Sequence, residues 1–139
     1  MDCASGVSPE RLARIQRETP DSLFGRSMNF RYLAVCPELG IADLGESFRA
    51  PVQSNMPVLC ISGEMAVRTP PSNAKAVLEG FPNGHHVIIS RAGHDNDLWV
   101  SSPKIAECII AFFQGRPVPY QRIELPPIEF MVPPGFIDE

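Results

Sequence analysis

PVLCISGEMAVRTPPSNAKAVLEGFPNGHHVIISRAGHD, residues 57–95, decides how this chain folds. Pro57 to Ser62 is continuously apolar rather than alternating, the pattern of a strand buried on both faces. Gly63 to Thr69 reads as a loop. Pro70 and Pro71 open a helix, SNAKAVLEGF, in which Ala74, Val77, Leu78 and Phe81 recur at helical spacing. Pro82-Asn83-Gly84 is a turn. His86 to Ser90 is a second apolar strand, and Arg91 to Val100 a second loop. Ser102 and Pro103 cap a further helix through Phe113, with Ile105, Cys108, Ile109 and Phe112 on one face and Gly115 at C′. Strand, helix, strand, helix at this spacing is an α/β arrangement of parallel strands with right-handed crossovers.

Two strands do not complete such a sheet. Both are apolar throughout, so each calls for neighbours on its edges and cover on its faces. The remainder is expected from a separate chain, from self-association or from the rest of a parent protein. Upstream, Ser8-Pro9-Glu10 places an N-cap, a proline at N1 and an acid in the first turn. The helix runs through RLARIQRE and stops at Thr19-Pro20. A short turn follows at Asp21 to Gly25, and a short helix is expected from Asn29 to Cys36. Residues 41–56 mix Gly, Ser, Asn and Pro and read as a connector. Downstream of Gly115 the chain is rich in proline, which fixes φ and removes a donor. The tail is expected to be extended and irregular, with Phe130, Met131, Phe136 and Ile137 as anchors. Three regions result: residues 1–56, 57–115 and 116–139.

The 139-residue chain is long enough for one domain, and 44% hydrophobic content suits a globular protein. A formal net charge of −4, with no basic stripe, argues against nucleic acid as the main partner. No apolar run approaches the ~20 residues of a membrane span. MDCASGVSPERLARI has neither a basic start nor an apolar core, so it does not read as a signal peptide. The compartment is left open. Four cysteines stand at 3, 36, 60 and 108 without a CxxC or metal spacing. Cys60 and Cys108 read as buried small hydrophobes. A bond between Cys3 and Cys36 is left open.

The segment from Met56 to Asp95 resembles the C-terminal part of α/β-hydrolases, closest to tripeptidyl-aminopeptidase-like and proline-iminopeptidase-like serine peptidases. Those carry a strand, a G-E-x-D-x-x-T-P loop, a helix, a strand ending in G-H and a last helix. Here the loop reads Gly63-Glu64-Met65-Ala66-Val67-Arg68-Thr69-Pro70, and the G-H is Gly93-His94. SGVSPERLARIQRE and the Cys36 stretch resemble the family's cap-to-core connection, and PPIEF resembles its proline-rich end. The resemblance implies an α/β-hydrolase fold, of which this chain supplies the C-terminal part. It implies that His94 is the triad's general base. It also implies a catalytic Asp at the position held here by Ala66. The family's nucleophile elbow, G-x-S-x-G, would lie upstream of these residues; neither Ser5-Gly6 nor Gly45-Glu46-Ser47 matches it.

A loop histidine at the carboxyl end of a parallel strand stands where open α/β sheets place reactive groups. Imidazole there takes a proton from a nucleophile and returns it to the leaving group. Glu64, two residues from Ala66, is a weak substitute acid, and Asp95 and Asp97 flank the histidine. His85 and His86 stand at the opposite end of their strand from His94. A strand of about 5 residues spans roughly 17 Å, too far for shared metal ligation. No metal or cofactor is expected. Arg68 and Arg91 read as surface charges, Trp99 as a packing residue and Thr69-Pro70 as a helix start.

The leading expectation is a C-terminal portion of a serine hydrolase, peptidase or esterase, inactive alone and partnered by a nucleophile-bearing part. The alternative is a non-catalytic module of hydrolase descent that oligomerises or binds. A free-standing small α/β binding domain is the third reading.

Overall fold

The computed structural model describes residues 2–25, 27 and 35–130. They divide into two compact units, with the boundary between Pro51 and Val52. The helix expected over residues 29–36 lies almost entirely outside the described residues, as do the anchors Met131, Phe136 and Ile137.

In the first unit, α1 is Asp2–Ser5 and α2 is Pro9–Glu18. Ser8 caps α2, its Oγ accepting from the Arg11 N–H at 3.3 Å, with Pro9 in the first turn as its fixed φ favours. Thr19–Asp21 tightens into a 3₁₀ turn, so Thr19-Pro20 ends the α-helix as expected. A second 3₁₀ turn, Cys36–Leu39, closes at Gly40 with φ 61°. Within the stretch read as a connector, Gly45–Arg49 is a short helix, α3. Its turn is held from the side: the Arg49 guanidinium donates to Asp43 (2.6 Å), Glu46 (3.0 Å) and the Ser5 carbonyl (3.0 Å). Such long-range side-chain bonds are not visible as periodicity. Cys3 and Cys36 form a disulfide across a sequence separation of 33.

The second unit is the patterned half. β1 is Val58–Gly63, α4 is Pro71–Leu78, β2 is Gly84–Ile89 and α5 is Pro103–Phe113. β1 and β2 run parallel, with Val58 opposite Gly84 and Gly63 opposite Ile89. The unit begins five residues before the expected boundary because Val52–Asn55 is tied to the α4–β2 turn. Ser54 N–H donates to the Gly80 carbonyl (2.9 Å) and Asn83 to the Asn55 carbonyl (2.8 Å). The proline-rich tail departs from its expected irregularity. Arg122–Ile123 is a third strand, β3, parallel to β2, giving the order β1-β2-β3. Ile88 N–H donates to the Gln121 carbonyl (3.0 Å), Ser90 N–H to the Ile123 carbonyl (2.9 Å), and Leu125 N–H to Ser90 Oγ (3.0 Å). Among the described residues β1 pairs only with β2, so its outer edge carries unpaired backbone groups.

Alternation along β2 sorts its side chains by face. Val87 and Ile89 join Ile123 of β3 and Ile105 and Cys108 of α5 in the core, with Ala92 and Leu98 from the following loop. Burying each large aliphatic side chain is worth about 1.5–3 kcal/mol. Gly84, His86 and Ile88 face the other way. A side chain on Gly84 would strike Leu78, which places the end of α4 on that second face. α5 forms as its sequence dictates: Ser102 Oγ accepts from Lys104 N–H (3.3 Å), and Gly115 leaves the helix at φ 64°. Cys108 is buried as expected, whereas Cys60, on the Leu78 side of the sheet, is only partly covered.

Candidate active site

Both loops of interest leave the carboxyl ends of neighbouring parallel strands. Gly63 ends β1 in direct contact with the second loop: any Cβ there would collide with the carbonyl groups of Ala92 and Gly93. Only glycine allows the two backbones to approach so closely. The approach is fixed by hydrogen bonds from Glu64 N–H to the Ile89 carbonyl (2.9 Å) and from Met65 N–H to the Ala92 carbonyl (2.9 Å). Arg91, at φ 58°, turns the chain sharply out of β2 toward His94. Its guanidinium anchors that turn on the Leu125 carbonyl. A non-glycine residue in this region carries about 1–2 kcal/mol of strain, and here the β3 segment holds it in place.

Ala66 is buried between these loops, its N–H closing a turn onto the Gly63 carbonyl (3.1 Å). His94 is exposed, and its Nδ1 lies 2.7 Å from Thr69 Oγ1. The structure therefore brings His94 to the loop that carries Ala66, and a hydroxyl meets the nitrogen that a triad acid would hold. α4 starts where expected, with Pro70 at the N-cap and Pro71 the first helical residue; no side chain caps it, and the Thr69 hydroxyl turns to the histidine.

Of the three carboxylates weighed for the imidazole, two are engaged elsewhere. Glu64 accepts from the Arg122 guanidinium at 2.6 Å. Asp97 Oδ2 accepts from the Gly93 N–H at 2.7 Å, and that bond holds its carboxyl below the usual carboxylate range. Asp97 thus braces the backbone beside His94 rather than the imidazole. Asp95 is exposed and makes no side-chain hydrogen bond among the described residues. Arg68 is exposed as expected, and Trp99 stands more than half exposed. Val100, next to it, and Met65 and Val67 on the first loop are also exposed. At the far end of β2, His86 Nε2 lies 3.0 Å from Ser62 Oγ, and burial pushes its imidazole pKa down. A cavity of about 270 Å³, lined by His85, His86, Tyr120 and Gln121 among others, opens at that end, away from His94. Among the described residues no three His, Cys, Asp or Glu side chains converge as metal ligands.

Parallel strands with flanking helices, and two facing loops at their carboxyl ends of which one presents a histidine, define part of an α/β-hydrolase fold. The family described as TAP-like protein, an α/β-hydrolase family, matches residues 21–122, and the chain belongs to it. No curated protein and no solved structure matches the chain.

Proposed function

We propose that this chain is the histidine-bearing portion of a serine hydrolase, acting on a peptide or ester bond once a nucleophile-bearing part completes it. The observation that supports this most directly is the facing pair of loops: His94 stands beside the Thr69-Pro70 loop with Nδ1 already engaged, which leaves Nε2 for proton transfer. In the completed site Nε2 takes the proton of a serine hydroxyl as its oxygen attacks the carbonyl. The ring then returns that proton to the leaving amine or alcohol. The outer edge of β1 is where the missing part adds its strand. Alone, the chain has no activity. Even completed, it works without a carboxylate at position 66, and removing the orienting acid of a triad costs about 10⁴ in kcat.

The test is labelling by a fluorophosphonate. The isolated chain takes no label, and a complementary part bearing G-x-S-x-G becomes labelled at its serine only when mixed with it. His94→Ala abolishes that gain and Ala66→Asp enlarges it. No gain on mixing with any nucleophile-bearing part of the family overturns the proposal.

A second reading is favoured by Ala66 itself: with no carboxylate at the imidazole, the module serves association rather than catalysis. The exposed Met65, Val67, Trp99 and Val100 suit a binding surface. A clean monomer by sedimentation at micromolar concentration rules out self-association as that role.

A further inference from the structure

His94 needs a partner at Nδ1 if its ring is to keep one orientation and one tautomer. The carboxylates that flank it or Ala66 in sequence do not supply one: Glu64 is paired with Arg122, Asp97 with the Gly93 N–H, and Asp95 stands in solvent. Thr69 Oγ1, at 2.7 Å, is the group in place. Its hydroxyl is not spent on capping α4, and the loop that carries it is locked against the His94 loop through Gly63 and Met65. A hydroxyl oxygen can accept from Nδ1–H in both the neutral ring and the imidazolium, while its own proton turns to water. One geometry then serves the ring before and after proton uptake.

We propose that Thr69 is the positioning residue of this site: it accepts the Nδ1–H of His94, fixes the tautomer and leaves the Nε2 lone pair facing outward. Unlike a carboxylate, it orients the ring without supplying charge to stabilise imidazolium. The inference rests on the reading of His94 as a base, but its test does not depend on turnover.

The experiment is long-range ¹H–¹⁵N correlation NMR on the uniformly labelled full chain, well above the ordinary imidazole range, with signals assigned through His85→Gln and His86→Gln. The expected result is the Nδ1–H tautomer for neutral His94 in the wild type and in Thr69→Ser. Thr69→Val, with an otherwise unchanged amide spectrum, loses it in favour of the Nε2–H form. Wild-type protein in the Nε2–H form overturns the proposal, and so does a Thr69→Val spectrum identical to wild type at His94. The wild-type tautomer decides the matter even if the valine variant fails to fold. A negative tautomer result leaves the labelling test of His94 intact, and failure of labelling leaves the Thr69 contact intact.

Discussion

Reduction of the Cys3–Cys36 bond should unfold α2 and the other described elements of the first unit while leaving the sheet untouched. Among the described residues of that unit none is fully buried. Its α2 helix keeps no buried residue; among the described residues, Leu44 N–H bonds the Ala4 carbonyl (2.9 Å) and Arg49 the Ser5 carbonyl across the unit, with Asp43 and Glu46 bonding Arg49 locally. Asp43 and Glu46 are well exposed, and ion pairs of exposed groups add little. The disulfide, by contrast, closes a loop over a separation of 33. Restricting the unfolded chain over that length stabilises by about 3.7 kcal/mol on the chain-entropy model. That is comparable to the whole stability expected of so small a unit in which none of the described residues is fully buried. Hydrogen exchange with and without a thiol reductant measures it. The α2 amides should exchange roughly 500-fold faster on reduction, the ratio that corresponds to this free energy. Amides of β2 should not change. Cys3→Ser should behave as the reduced protein does. Unchanged protection of α2 after reduction would refute the claim that the bond, rather than packing, holds this unit.

Gly63→Ala should lower stability by about 3 kcal/mol or prevent folding, because the new Cβ meets the Ala92 and Gly93 carbonyls; a denaturant melt checks it. Ile105→Ala empties a fully buried position between α5 and the sheet and should cost about 2–5 kcal/mol in the same assay. Asp97 has a folded-state carboxyl pKa below its unfolded one, so its contribution is complete above the ordinary carboxylate range and is lost as pH falls through the lowered value. An acid melt of Asp97→Asn should lack that part of the acid sensitivity, and identical acid profiles for the two proteins would count against the Gly93 brace. Arg122→Met, which removes an exposed ion pair to Glu64, should shift stability by no more than about 1 kcal/mol.

The elements between residues 57 and 115 were legible because each carries its own local signal. β1 and β2 carry the apolar runs Val58–Ile61 and Val87–Ile89, α4 and α5 start at prolines, and Gly115 ends α5 in the left-handed conformation that glycine favours. β3 was not legible. Two residues among prolines give no periodicity, and what makes them a strand is the unpaired edge of β2 together with burial of Ile123. The spacing of Val118, Tyr120, Ile123 and Leu125, all packed on the core, is the trace it leaves in the sequence. His94 and Ala66 could be located because each loop follows a readable strand. Thr69 could not be tied to His94: they are 25 residues apart, and Thr-Pro reads locally as a helix start. Of the pair Leu98-Trp99, Leu98 takes the fully buried position and Trp99 stays more than half exposed, an order that local residue type does not announce.

The open edge of β1 also constrains symmetry. On the opposite side β3 is only two residues long, with prolines at 119 and 126, whereas β1 offers a six-residue edge for further strands. Two copies related by a twofold axis through that edge would meet β1 to β1 with their directions reversed, and the seam would be antiparallel. A strand that continues the parallel order must come from a different segment of sequence. The sense of the strand beside Val58–Gly63 therefore distinguishes a twin from a complement.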